Sequence, residues 1–413
     1  MRIAFVTESF SRGMGYTENT LPRYLAKRGH VVRVFCSDLQ VYGSQPAYKE
    51  VYEPFLGPAH LPCGEEQESG FVVERLPSFL VGRYIGLRGL REALTKFHPD
   101  VVQATSVVSF GTIEVLLGSH ALGNIPIFTE CHQHLSVVRP YLRSSRCSLK
   151  RSLYFLTRTI PGHLLSRGVE RCYAIAPDCE YVAIHHYGVP AQKVSVLHLG
   201  TDTETFHPVL GTQDLEDRAE LRRELGIEPE SLVAIYSGRL TDGKNPALLA
   251  RAIGMVRASG HLWVGLFVGE GPQQNTIAHS DGCIVVGFAR HDQLSRYYRV
   301  ADVAVWPTQE SMSMLDAMAS GLPLLVSSSM GDVGRVEGAG LTFAPGSAED
   351  LVAQLERLLD RKMRHKLGAA ARDKALIEYD WNLNAERREA DYVASLVSRI
   401  RRESGLPRDG GIS

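Results

Sequence analysis

The sequence predicts an α/β protein made of two doubly wound halves, and three observations carry that expectation. Short apolar runs that end in Gly-, Ser- or Pro-bearing loops alternate with helix-patterned stretches from Ile3 onward. The same alternation restarts at Leu232, after a polar stretch. With 413 residues the chain is too long for one ordinary core, whereas two domains of about 200 residues suit it.

Taken in order, residues 3–7 read as a buried strand, followed by Ser11-Arg12-Gly13-Met14-Gly15-Tyr16. Thr17 is placed to cap a helix reaching about Arg28, Gly29 closes it, and 31–36 is the next strand. Strand, glycine-bearing loop, helix and strand in that order begin a doubly wound sheet. The glycines allow a backbone to approach a ligand closely, or they merely make the turn, because the loop is not GxGxxG. Residues 40–68 read as loop, 71–73 and 101–104 as strands, and the stretch near 87–97 as the helix between them. A helix over 110–122 leads to a strand over 125–129, which ends in Glu130-Cys131-His132-Gln133-His134. The runs 173–176 and 194–197 look like the last strands of the half. Residues 209–230, charged and with a short helix around 218–225, have linker composition.

The second half has expected strands at 232–236, 263–268, 284–288, 303–306 and 324–326. Their loops carry Gly238, Arg239 and Lys244, then Gly269-Glu270-Gly271-Pro272, then Gly287-Phe288, then Glu310. Open parallel sheets bind ligands at this carboxyl edge. Arg239 and Lys244, five apart on one loop, join a fork-shaped guanidinium to a point-like ammonium, a pairing suited to a diphosphate or equally to solvated loop cations. Helices are expected at 348–359, 363–377 and 382–401, and a frayed tail at 404–413.

Bulk properties exclude several classes. The chain is 44% hydrophobic and 22% charged, as ordinary globular proteins are. A net charge of -1 gives no overall pull toward nucleic acid. Seven scattered cysteines with no Cys-x-x-Cys argue against a disulfide framework or structural zinc and fit a reducing cytoplasm. The opening apolar run of about four residues is a strand and not a signal peptide, and nothing approaches the ~18 apolar residues of a membrane span. Asp302 and Asp332 stand alone, and no Asp-x-Asp metal motif is present. From Cys131 to Val169 no acid occurs, while Arg139, Arg143, Arg146, Lys150, Arg151, Arg158 and Arg167 lie among aromatic and leucine residues. That composition suits an anionic membrane face, an anionic acceptor, or a solvated helix face over core.

The stretch 306–327, WPTQESMSMLDAMASGLPLLVS, resembles the donor-sugar segment of retaining family-4 glycosyltransferases. That family usually reads Pro-Ser-x-x-Glu-Gly-Phe-Gly, four more residues, then Glu-Ala-Met-Ala-x-Gly-x-Pro. Here Glu310 and Ala317-Met318-Ala319-Ser320-Gly321-Leu322-Pro323 are kept. Ser311 and Ser313 replace the glycines, Asp316 replaces the second Glu, and the two acids stand two residues closer. Leu199-Gly200-Thr201-Asp202…Phe206-His207-Pro208 resembles the family's domain junction, and Gly29-His30-x-Val32 and Pro99-Asp100-Val101-Val102 its first domain.

The resemblance implies the GT-B fold: two Rossmann-like doubly wound domains facing a central cleft, an acceptor domain over 1–205 and a donor domain over 206–381, with the 382–401 helix packing back on the first. It also implies catalytic roles for Arg239, Lys244, Glu310 and His132. Donor binding would fall to Gly15, Gly238, Gly269, Gly287, Phe288, Ser311, Met312, Ser313 and Asp316. Asp316 would hold ribose hydroxyls; its alternative is a capping box with Ser313. The implied reaction moves a sugar, with retention, from a nucleotide-diphosphate sugar to a hydroxyl of a glycan, glycolipid or lipid-linked acceptor. It needs no metal, cofactor or protein nucleophile. A sugar-nucleotide epimerase, a phosphorylase and a non-catalytic sugar-nucleotide-binding protein are the alternatives. Nucleic acid is not an expected partner, and the expected location is the cytoplasm or the inner face of a membrane.

Overall fold

A computed structural model describes residues 1–81, 84–143, 149–330 and 333–404. The expected tail beyond Ser404, together with Arg146, Cys147 and Asp332, lies outside the described residues, as do the side chains of Arg143 and Lys150. The chain forms two compact units. The first takes in 1–12, 16–199 and the chain from Asn382 on; the second takes in Gly13–Gly15 and Gly200–Trp381.

The first unit is built on strands β1 (Arg2–Val6), β2 (Val31–Ser37), β3 (Gly64–Gln67) and β4 (Val72–Leu76). A hairpin of β5 (Ser78–Val81) and β6 (Tyr84–Leu87) follows, then β7 (Val101–Ala104), β8 (Ile127–Cys131), β9 (Arg171–Ala174) and β10 (Val194–Val196). The main sheet runs β10-β9-β8-β7-β1-β2-β4-β3, parallel except for the β3 edge. Its central strands β7 and β8 are buried along their whole length, with the polar residues Gln103, Thr129 and Glu130 enclosed among the apolar ones.

The second unit has β11 (Leu232–Ser237), β12 (Trp263–Val268), β13 (Cys283–Val286), β14 (Val303–Trp306), β15 (Leu324–Ser327) and β16 (Gly340–Phe343). All are parallel, in the order β13-β12-β11-β14-β15-β16. Trp263, Trp306 and Tyr298 are enclosed in its core. No described helix is long and apolar enough to cross a membrane.

Four local expectations are corrected. Residues 40–68 are not all loop, because Gly64–Gln67 pairs with β4 and two short helices, Tyr48–Val51 and Glu53–Leu56, precede it. An all-polar edge strand has no apolar alternation to show; Glu66 is held by the buried Arg75 at 3.2 Å. Thr17 is the first residue of its helix and not its cap, a place taken by extended Tyr16. The supposed linker holds a 14-residue helix, Gly211–Glu224, which starts earlier than the short helix expected at 218–225 and turns two arginines inward. Arg218 reaches Asp302 at 2.9 Å, and Arg222 donates to the Val300 carbonyl at 3.0 Å. Finally, β16 follows β15 unannounced, where Gly340 and Thr342 dilute the apolar run.

In the first unit the terminal helix, Trp381–Glu403, lies against the main sheet. Arg388 donates to Glu130 at the end of β8, with both side chains fully buried. The guanidinium sits 4.4 Å from the Tyr173 ring centre, and its Nε reaches Asn384 Oδ1, one turn back, at 2.8 Å. One turn on, the Tyr392 hydroxyl donates to Gln103 at 2.8 Å. Glu389 faces outward and accepts from Arg28. Burial alone would raise the Glu130 carboxyl, but the Arg388 charge and the His132 hydrogen bond outweigh it and hold the group at about 2. Arg388→Met, which strands a buried carboxylate, is expected to lower stability by about 3–5 kcal/mol, and Glu130→Gln with Arg388→Met to recover part of that loss in urea unfolding. Since the folded value of about 2 lies below the ordinary 4.5, the contribution of this group is whole above pH 4.5 and fades as pH falls toward 2. The double variant should lack this part of the acid transition.

Candidate functional site

The strand order of the second sheet reverses between β11 and β14. Loops leaving such a pair diverge to opposite faces and open a crevice at the carboxyl edge. Arg239 and Lys244 follow β11, and Glu310 follows β14. Three hydrogen bonds join the two loops. The Lys244 ammonium donates to the Glu310 carbonyl at 2.9 Å, Thr308 to the Gly243 carbonyl at 2.8 Å, and Ser313 to the Ser237 carbonyl at 3.2 Å. Beneath them the Tyr298 hydroxyl donates to the Ser313 carbonyl at 3.0 Å and meets Ser237 Oγ at 2.6 Å. Burial pushes the Tyr298 phenol far up, so it stays a neutral donor. The carboxylate of Glu310 has Arg335 at 3.7 Å, on the short turn Val333–Val336.

Glycine is required where the loops stack. Gly269 has φ +144°, and a Cβ there would lie 2.0 Å from the Gly238 carbonyl oxygen. Gly271 would in the same way meet Leu240 at 2.5 Å. The β11 and β12 loops can therefore run side by side, bonded by Gly238 N–H to Val268 O at 3.0 Å and Leu240 N–H to Glu270 O at 2.8 Å. Glu270 in turn accepts from the Phe288 amide at 3.3 Å, and it also closes the space beside Gly287. Ser311 and Ser313 share a hydrogen bond of 2.8 Å, and Met312 is the cap residue of the Ser313–Ala319 helix.

Burial, and then the neighbouring Arg239, lower the Lys244 ammonium from its ordinary value, with Glu310 opposing them. Two cations on one loop disfavour each other, and an anion between them relieves both.

Asp316 is drawn inward. It is 4% exposed; Oδ1 accepts from Thr201 at 2.7 Å and Oδ2 lies 3.0 Å from His291 Nε2. With both oxygens engaged inside the unit, it does not stand as a solvated helix acid. The capping box is not formed either, since Ser313 points to Ser237 and Ser311. His291 opens the helix His291–Val300, packs on Phe206 at 4.8 Å between ring centres, and donates its amide to the Gly13 carbonyl at 3.0 Å. Gly15 lies flat on the imidazole, because a Cβ there would come within 2.6 Å of it. No motif marks His291 or Tyr298 in the sequence, and Thr201 stands in the junction motif without being singled out there.

In the first unit, His132 bonds through Nε2 to the Glu130 carboxylate and keeps 36% of its side chain exposed. A carboxylate at Nε2 makes that nitrogen the N–H and leaves Nδ1 as the acceptor. On the helix Thr17–Lys27, Glu18 is pushed up to about 7, chiefly by burial. The sequence did not single it out. Among the described residues, His134, Asp178 and Cys179 bring metal-type ligand atoms within 4.8 Å of one another. Asp178 there already pairs with His134 at 3.1 Å and accepts the Leu135 amide at 3.0 Å.

Residues 12–205 match the family described as Glycosyltransferase Family 4, and residues 231–361 match Glycosyl transferases group 1. A lipopolysaccharide 1,2-N-acetylglucosaminetransferase of Salmonella typhimurium is 26% identical over 237 residues, which is 52% of this chain and 60% of that protein. The match thus spans less than two thirds of that relative. A D-inositol 3-phosphate glycosyltransferase of Kineococcus radiotolerans is 27% identical over 96% of this chain and 93% of its own. Among solved structures, Anabaena Alr3699/HepE in complex with UDP superposes with a TM-score of 0.65 at 16% identity, covering 96% of this chain and 100% of the other. The fold is therefore GT-B, and the chain belongs to the glycosyltransferases that pair a family-4 domain with a group-1 domain.

Proposed function

We propose that the protein transfers a sugar, with retention of configuration, from a nucleotide-diphosphate sugar to an acceptor hydroxyl. The observation that carries this reading is the cross-tie at the strand-order reversal, where the Lys244 ammonium, beside Arg239, is fastened to the Glu310 carbonyl. One loop offers paired positive charge to a diphosphate, and the other carries a carboxylate toward the sugar that the diphosphate leaves.

In the mechanism, Arg239 and Lys244 take up the negative charge that grows on the phosphate oxygens as the bond to the anomeric carbon breaks. Glycine backbone at 238, 269 and 271 lets the nucleotide lie against the sheet edge. Glu310 positions the sugar, with Arg335 holding its carboxylate. The acceptor hydroxyl attacks on the face the diphosphate leaves, and the departing phosphate takes its proton. His132, oriented by Glu130 and Arg388, presents Nδ1 to a sugar hydroxyl. The relatives' names support a carbohydrate or cyclitol hydroxyl as acceptor.

A thermal-shift series with UDP-, GDP- and ADP-sugars tests the reading, since a donor bound at 100 times its Kd adds about 2.7 kcal/mol. One donor is expected to raise the melting temperature. Arg239→Ala and Lys244→Ala should abolish that shift and leave the unliganded melting temperature unchanged within a few degrees; a full shift in both would remove them from the site. Glu310→Gln is expected to keep the shift but slow transfer by about 10²–10³. If the wild type binds donor but neither transfers nor hydrolyses it, the chain is a sugar-nucleotide-binding member.

The pH dependence has a definite sign. An anion favours charged Lys244, whose value in the free protein lies below the ordinary 10.5. Donor affinity should therefore be whole at neutral pH and fall as pH rises through that lowered value, with Lys244→Arg flattening the fall in a calorimetric titration.

A further inference from the structure

The helical segments Leu149–Tyr154, Phe155–Thr159 and Ile160–Leu165 run on as one rod, with helical backbone at both seams (Tyr154 φ −60°, ψ −44°; Ile160 φ −62°, ψ −53°). The middle segment is a π-type turn. At about 1.5 Å per residue the rod is roughly 25 Å long.

Its inner side is seated on the first unit. The Tyr154 hydroxyl meets that of Tyr187 at 3.2 Å, and Thr157 meets the Tyr84 hydroxyl at 3.3 Å. Arg158 lies 4.3 Å from the Tyr84 ring centre and donates to the Val108 carbonyl. Gly162 rests on the Tyr187 backbone, where a Cβ would come within 2.9 Å.

The opposite side carries Leu149, Leu153, Leu156, Ile160 and Leu164, at steps of four, three, four and four residues. That spacing makes one continuous stripe. Each is exposed, from 36% at Ile160 to 83% at Leu149, and Phe155 beside them is 53% exposed. A contiguous apolar band of this kind on a folded unit marks a surface that is covered in use.

We propose that this stripe lies in the headgroup region of an anionic lipid surface. Charge selects the occupant. Residues 131–169 contain no acid, and Arg139 and Arg167, which precede and follow the rod in the chain, are exposed. Arg158, turned inward, is not part of the basic face. A rod with apolar residues on one side and cations around it suits an interfacial helix, whereas a second copy on a twofold axis would bring basic flank against basic flank. The inference does not rest on the glycosyl-transfer reading, and its measurement needs no donor sugar.

The test is co-sedimentation of the full chain with vesicles of equal phosphatidylglycerol and phosphatidylcholine, against vesicles of phosphatidylcholine alone. Binding is expected to the anionic vesicles and should weaken with salt. Leu153→Glu with Leu156→Glu should lower it by about tenfold or more. Arg139→Glu with Arg167→Glu should lower it independently. Because all four side chains are exposed, both variants should keep the wild-type melting temperature and the nucleotide-sugar thermal shift. Undiminished binding by the leucine variant overturns the proposal. So does wild type that ignores anionic vesicles, including wild type that instead forms a dimer which the leucine variant dissolves.

Discussion

At the reversal of strand order in the second unit, a lysine from one loop donates to the backbone of the next. Lys244 reaches the Glu310 carbonyl from the far end of the β11 loop, and Thr308 and Ser313 bond back across the same gap. A crevice between diverging loops is otherwise a place where two irregular segments move independently. Here each loop is referenced to the other by backbone acceptors, whose positions the strands below determine. The buried Tyr298 adds a strut from the helix beneath, joining Ser237 at the end of β11 to Ser313 at the start of the next helix. The geometry of Arg239, Lys244 and Glu310 depends on this lattice.

Electrostatics and packing reinforce each other there. The ammonium is partly withdrawn from water and lies beside another cation, so its charge is costly until an anion arrives. In the proposed donor site, this is the arrangement whose cost a diphosphate would relieve. Gly238, Gly269 and Gly271 are the counterpart in backbone: each takes a φ that other residues rarely adopt, and together they bring two loops within contact of each other. The first unit uses the opposite arrangement. Its carboxylate, Glu130, is buried and fully paired, and His132 is the exposed end of that pair.

Asp316 shows how a residue type can carry over into surroundings that bind it on both sides. An aspartate is shorter than a glutamate by one methylene, and this one lies within the Ser313–Ala319 helix, whose following residues, Ala317 to Ala319, are wholly enclosed. Its oxygens meet Thr201 and His291. Thr201 comes from the junction between the halves of the sequence and His291 from another helix, so the carboxylate ties three remote segments of one unit.

Sequence alone determined what depends on local pattern. The apolar runs of β1, β7, β11, β12 and β14, the restart at Leu232, the Ala-Met-Ala-Ser-Gly-Leu-Pro helix ending and the acid-free stretch were all legible, because periodicity and turn chemistry act over a few residues. The polar edge strand β3, the first half of the Gly211–Glu224 helix and the β5–β6 hairpin were not legible, since their stability comes from partners such as Arg75, Asp302 and the neighbouring strands. Only the tertiary structure decided which charges face inward. Arg388 lies 258 positions from Glu130, Asp316 is 115 from Thr201, and Arg158 turns its back on the basic face it was counted in. Pairings at such separations are set by how sheets stack and helices return, which no local spacing encodes.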